Sequence, residues 1–191
     1  MVGASGGVGT FAVQLAVAAG ARVTGVCGPA KADLVRSLGV DHVIDHTRED
    51  VDAEGVRYDV VLDIGGNRTL RALRRVLEPA GTLVVIGGEE GGRLTGGLQR
   101  GVAAALLSPF VRQRLVMHVS RETARDLEAL GRVIESGAVR PVLDRGWPLE
   151  DAAAAIGHVG SGRARGKVVV DVAAQPDGRS PASPTAEHRG S

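Results

Sequence analysis

The chain has 191 residues, enough for one well-packed domain and a short appendage. Hydrophobic residues at 43%, charged residues at 24% and a net charge of +1 are ordinary for a globular protein, and they give no electrostatic case for nucleic acid or an anionic membrane as partner. Aromatic residues are too scarce for base-stacking platforms (Phe11, Tyr58, Phe110, Trp147), and the single cysteine, Cys27, excludes a disulfide framework or a multi-cysteine zinc site within this chain.

Short β-branched runs alternate with amphipathic stretches, the pattern of βαβ units on a parallel sheet. Residues 7–19 read as a helix with Val8, Phe11 and Leu15 on one face at i, i+3 and i+7. Residues 22–27 read as a strand, 31–38 as a helix closed by Gly39, and 42–45 as a short strand. The run 58–64 is almost continuously apolar from Val60 to Leu62, as expected of a strand buried on both faces. A helix over 69–77 ends at Pro79-Ala80-Gly81, and 82–86 makes the next buried strand. Residues 87–101 form a glycine-rich loop without periodicity, and 102–107 read as helical until Pro109. Residues 115–119 are a further strand, after which Ser120 caps a helix with Leu127, Leu130, Val133 and Ile134 on its inner face. Beyond Pro141 come an extended piece, a short alanine-rich helix over 149–156 and a terminal strand over 167–172. The segment 173–191 holds three of the eight prolines and almost no bulky apolar side chain, the composition of a disordered tail.

The strongest local signal is Gly3-Ala4-Ser5-Gly6-Gly7-Val8-Gly9, which opens the first helix. Gly6 lets the backbone approach a pyrophosphate, Gly9 lets the helix pack against its strand, and the first helical amides face the anion. A glycine fingerprint alone also serves purely steric turns; its place within a βαβ repeat favours cofactor binding. Such a turn follows a complete strand of about five residues, central in a doubly wound sheet. Only Met1 and Val2 precede Gly3, so a truncated or mis-started first strand is expected, with unpaired edges on two half-sheets.

Sites for NAD place Asp or Glu at the end of the second strand, about twenty residues after the glycines, to bond the ribose 2′-hydroxyl. Here that place is Val26-Cys27-Gly28-Pro29, and the first acid is Asp33. Lys31 is placed to meet a 2′-phosphate, its bland alternative being a solvated first-turn lysine. Missing acid and present lysine together favour NADP (NADPH).

These features resemble the medium-chain dehydrogenase/reductase superfamily in its zinc-binding dehydrogenase, quinone-oxidoreductase-like branch. The matching text comprises the turn from Gly3 to Gly9, the run Val35-Arg36-Ser37-Leu38-Gly39-Val40-Asp41-His42-Val43-Ile44-Asp45, and Tyr58-Asp59-Val60-Val61-Leu62-Asp63. It continues with Gly81-Thr82-Leu83-Val84-Val85-Ile86-Gly87-Gly88, with Leu107-Ser108-Pro109-Phe110-Val111-Arg112-Gln113, and with Ala164-Arg165-Gly166-Lys167-Val168-Val169. The resemblance implies an α/β fold: a Rossmann-type doubly wound parallel sheet over residues 1–140, with 141–172 as a remnant that returns to a GroES-like catalytic domain not contained here. It implies hydride transfer between NADPH and a quinone, enone or other carbonyl substrate, with the protein orienting the nicotinamide.

Carried over residue by residue, Ser5, Gly6, Gly7 and Val8 match the pyrophosphate loop, and Lys31 the basic position near the 2′-phosphate. His46 stands where many relatives have a tyrosine beside the adenosine, a departure that also suits an exposed loop histidine. Gly87 and Gly88 match the strand end near the nicotinamide, and Ala164 and Arg165 a late cofactor-contacting motif in which Arg163 replaces the usual histidine. Cys27 reads as a packing residue and Asp63 as an organiser of the loop that follows it. His118 and His158 lack partners at metal-ligand spacing, and Arg71, Arg74 and Arg75 read as a solvated basic face.

No catalytic or metal-binding residue is assigned. The expected partner is a small-molecule substrate, with neither nucleic acid nor membrane, and a homodimer is a candidate assembly of the full-length form. With no leader or membrane-spanning run legible, the location expected is cytoplasmic. The competing reading is a non-catalytic nucleotide-binding or regulatory module. A short-chain reductase fails for want of a Tyr-x-x-x-Lys pair, since Tyr58 is followed by Leu62, and a methyltransferase fails for want of the acid. By itself the chain is expected to be inactive, because the catalytic half is not part of it.

Overall fold

A computed structural model describes residues 1–52, 55–66, 68–86, 111–118 and 123–172. Its strands are β1 (Thr24–Cys27), β2 (His42–Asp45), β3 (Tyr58–Asp63), β4 (Leu77–Val85), β5 (Arg114–Met117), β6 (Leu143–Pro148) and β7 (Lys167–Asp171). The helices are α1 (Gly9–Ala18), α2 (Ala32–Ser37), α3 (Leu70–Arg75), α4 (Ala124–Glu135) and α5 (Ala152–Gly160). Every named strand pair is parallel: β1 with β2, β3 with β4, β4 with β5, and β6 with β7.

The residue Val2 joins the first two groups of strands. It bridges Val26 of β1 on one side and Asp63 of β3 on the other, both in parallel sense. Its amide donates to the Leu62 carbonyl at 2.9 Å, and the Val26 amide donates to the Met1 carbonyl at 2.8 Å. The order is therefore β2-β1-Val2-β3-β4-β5, a doubly wound sheet with its central strand compressed to one bridging residue. Two open half-sheets were expected from the sequence. Val2 closes the gap because the few residues before the turn present their amides and carbonyls to both neighbours.

Alternation along β1 sends Val26 into one buried cluster and Cys27 into another, so the clusters lie on opposite faces. The first packs Val2, Val26, Ile44, Val61, Leu73, Leu77, Leu83, Val85 and Leu115. The second packs Ala4, Val13, Val23, Cys27 and Val35 beneath α1 and α2. Gly25 lets α2 approach closely, since a methyl there would meet Val35 Cγ1 at 2.6 Å.

Three expectations about buried faces need correction. Helix α1 turns Gly9, Thr10 and Val13 inward, and Val8 is 49% exposed. Val60 is 55% exposed, so β3 is not covered on both sides along its length. Helix α4 begins one residue after Thr123, whose hydroxyl accepts from the Asp126 amide at 3.2 Å and takes the capping role assigned to Ser120. No residue of α4 is buried, and Leu127 is 63% exposed. The expected helix over 102–107 and the tail lie outside the described residues.

The late segment is a βαβ unit in which α5 links β6 to β7. It is not adrift. The Gly166 amide donates to the Ser5 carbonyl at 3.0 Å, and the Gln14 side chain bonds both the Arg140 carbonyl (3.0 Å) and its amide (2.8 Å).

Candidate functional site

The glycine-rich turn is built by close backbone contact. Gly3 adopts φ +84°, which a side chain would resist, and a methyl on Gly9 would meet the Gly3 carbonyl oxygen at 2.1 Å. The start of α1 is thus pressed against Gly3 and Ala4. A methyl on Gly6 would meet nothing closer than 3.8 Å, so the backbone there borders open space.

That space is a cleft of about 520 Å³ at the carboxyl ends of β1 and β3, on either side of Val2 and Gly3. Its volume lies in the range of cofactor pockets. Doubly wound sheets bind ligands at this place, where the strand order reverses. Ser5, Gly6, Gly7, Val8, Lys31, His46 and Ala164 all line it. These seven sequence-selected residues, separated by up to 159 positions, share one wall-to-wall space. Gly87 and Gly88 lie outside the described residues.

Two residues do something other than expected. Lys31 lines the cleft, and its ammonium also donates to the carbonyls of Gly162 (2.7 Å) and Ala164 (2.8 Å). The solvated-lysine alternative therefore fails: Lys31 ties the late segment across the end of β1. Arg165 does not line the cleft; its guanidinium donates to the Ala30 carbonyl at 2.5 Å, next to Lys31 in the chain. It braces the segment that Lys31 holds.

The sequence reading missed Arg68 and Lys167. Arg68 lines the cleft beside Ile64 and Gly65 and pairs with Asp50. Lys167 opens β7, and a methyl on Gly7 would lie 3.2 Å from its Nζ. The bond from Gly166 to Ser5 is what carries Lys167 to the turn. Only the fold shows this, because the two positions are 160 residues apart in the chain. Among the described residues, the cleft lining holds the cationic side chains of Lys31, Arg68 and Lys167 and no Asp or Glu.

Neighbouring groups are structural. Burial and the nearby Asp45 carboxylate push the Cys27 thiol above its ordinary range. Asp45 itself accepts from the Thr47 amide (3.0 Å) and hydroxyl (2.8 Å), which holds its carboxyl below the usual range. Asp63 is fully buried and accepts from the Gly66 amide at 3.2 Å, fixing the loop after β3. His158 pairs with Asp144 at 2.5 Å, away from the cleft lining. Among the described residues no three His, Cys, Asp or Glu side chains gather as a metal site, and no helix is long and apolar enough to cross a membrane.

Residues 38–170 match the family model described as zinc-binding dehydrogenase. NAD(P)H oxidoreductase RTN4IP1, mitochondrial, from Mus musculus is 35% identical over 188 residues, which is 90% of this chain and 47% of that protein. Trans-enoyl reductase pgmF from Aspergillus terreus is 34% identical over 179 residues, 89% of this chain and 50% of that protein. The quinone oxidoreductase from Coxiella burnetii superposes with a TM-score of 0.74 at 24% identity, covering 90% of this chain and 51% of the other, a likeness of fold. The chain spans about half the length of the curated relatives it matches. It belongs to the zinc-binding dehydrogenase family of the medium-chain dehydrogenase/reductase superfamily.

Proposed function

We propose that this chain is the NADPH-holding half of an oxidoreductase that reduces a quinone, enone or other carbonyl compound. One observation carries the reading: the glycine turn opens onto a cleft at the sheet's switch point whose described lining includes Lys31, Arg68 and Lys167. When bound there, the nicotinamide cofactor supplies the hydride. The chain's own residues bind and orient. The amides that open α1, together with Lys167 beside Gly7, would hold the pyrophosphate. Lys31, at the end of β1 where an acid would select the free ribose hydroxyl, favours the 2′-phosphate, with His46 beside it. Ala164 closes the same wall, and Gly87 and Gly88 carry the proposal toward the nicotinamide end by resemblance. Arg165 supports that wall through its bond to the Ala30 carbonyl and is not proposed to touch the cofactor.

The residues described do not fit a zinc site, and no step of the reading runs through one. A second reading is a nucleotide-holding module without chemistry of its own, since among the described residues no Asp or Glu lines the cleft to move a proton. The experiment is a calorimetric titration of the chain with NADPH and NADH, paired with an NADPH-oxidation assay on quinone and enone substrates. Tighter NADPH binding supports the cofactor assignment, and equal or tighter NADH binding overturns it. Binding without turnover, with turnover restored in a chain extended to the length of the relatives, supports the half-enzyme; binding without turnover in both supports the module. The mouse relative is named as mitochondrial.

A further inference from the structure

At the other end of the sheet from the nucleotide cleft, α3 and the segment entering β5 bring four arginines around one depression. Arg71, Arg74 and Arg75 come from α3 and Arg112 from just before β5; Pro79, Val111 and Gln113 complete a cleft of about 280 Å³. The helix shows three of these arginines in sequence. The fourth arrives only through the pairing of β5 with β4.

The floor is fixed. The Arg74 Nε donates to Gln113 Oε1 at 2.9 Å, and Gln113 Nε2 donates back to the Arg74 carbonyl at 2.9 Å. The Gln113 amide therefore occupies a carbonyl at the carboxyl end of α3 that a last-turn arginine would otherwise serve. Capping does not account for the cluster. Arg75 is partly neutralised by Asp52, at 2.9 Å. Among the described residues no carboxylate is in ion-pair contact with Arg71, Arg74 or Arg112. Guanidinium groups match phosphate oxygens in pairs, and three such groups call for a ligand with more charge than one carboxylate carries.

We propose that Arg71, Arg74 and Arg112 form a second anion site, distinct from the nucleotide cleft, for a small phosphate-bearing ligand with two or more negative charges. The phosphate is either free or carried on a nucleotide. The test is calorimetric titration of the whole chain with inorganic pyrophosphate, and in parallel with ADP, against potassium chloride of matched ionic strength. Each titration is repeated in Lys167→Ala, which weakens the first cleft and leaves the arginine cluster intact. Saturable binding is expected under these conditions. Arg112→Glu and Arg71→Glu, both at exposed positions, should each weaken it at least about tenfold while leaving the circular dichroism spectrum unchanged. Lys167→Ala should not affect it. Binding by either probe supports the site, and the tighter one tells whether the phosphate is free or nucleotide-borne. The variants separate the two clefts, because binding at the first responds to Lys167 and binding at the second to Arg112. No saturable heat beyond the chloride control, an unchanged affinity in Arg112→Glu, or an equal loss in Lys167→Ala overturns the proposal.

Discussion

The Gly166 amide lies 3.0 Å from the Ser5 carbonyl, and this contact fastens the last βαβ unit to the turn at the start of the chain. Gly166 has φ +78°, and a methyl there would meet the Val142 carbonyl oxygen at 2.4 Å. Both facts require glycine. The junction also delivers Lys167 to Gly7 and the carbonyl of Ala164 to Lys31.

Gly166→Ala is expected to destabilise the chain by about 2–4 kcal/mol, combining left-handed strain with overpacking. Chemical denaturation measures it. Gly131→Ala is the control: it lies in α4 with nothing within 4 Å, and should be neutral or stabilising by up to about 1 kcal/mol. Equal effects at the two positions would show that the junction carries no strain.

Cys27 is buried at the end of β1 and its thiol is held above the ordinary range. Thiolate is the reacting species, so both access and ionisation oppose labelling. The native protein should react with a thiol reagent such as Ellman's at pH 8 at least about 100-fold more slowly than the denatured chain. Cys27 is also among the residues that line the cleft, so rapid native labelling would show that its thiol opens into that space.

The glycine turn, the strand sequence and most of the cleft were legible because each rests on local chemistry: glycine spacing, β-branched runs, a missing acid. The face of α1 was not. Its sequence is apolar nearly all round, so periodicity cannot choose a side. The contact of Gly9 with Gly3 and Ala4 chooses it, turning Thr10 and Val13 inward. Lys167 was hidden for a different reason, since its place beside Gly7 depends on a hydrogen bond between distant segments. Val60 misled because a short apolar run reads alike for strands covered on one face or two. On α4 the pattern correctly marks a helix with one apolar side, but periodicity says nothing of what covers that side.

The Met1 amine of the 191-residue chain gives a pH prediction. It donates to the Thr24 carbonyl at 2.6 Å, and burial lowers its pKa from 8.0 to about 6, against the opposing pull of Asp63. The unfolded chain therefore binds more protons between these values, so stability should rise with pH across the window from 6 to 8. Below pH 6 the penalty is present in full; above pH 8 it is gone. Two pKa units correspond to about 3 kcal/mol, an upper bound for the gain. Urea denaturation at pH 5.5, 7 and 8.5 measures the slope, and acetylation of Met1 should flatten it. A slope that survives acetylation belongs to another group.

The two lysines of the cleft should separate by cofactor. Lys167 stands beside Gly7, where the pyrophosphate shared by NADPH and NADH would sit. Lys31 stands at the end of β1, where only NADPH carries an added phosphate. Lys167→Ala should weaken both cofactors alike, and Lys31→Ala should weaken NADPH by about 1–3 kcal/mol with a much smaller effect on NADH. Lys31 also holds the carbonyls of Gly162 and Ala164, so its removal frees the segment that closes the cleft. That loosening acts on either cofactor. A loss confined to NADPH assigns the ammonium to the phosphate, whereas an equal loss assigns it to the segment. Hydrogen exchange over residues 160–166 reads the second effect directly, rising in Lys31→Ala whether or not a cofactor is present. If NADPH alone is lost and exchange also rises, Lys31 serves both the 2′-phosphate and the segment.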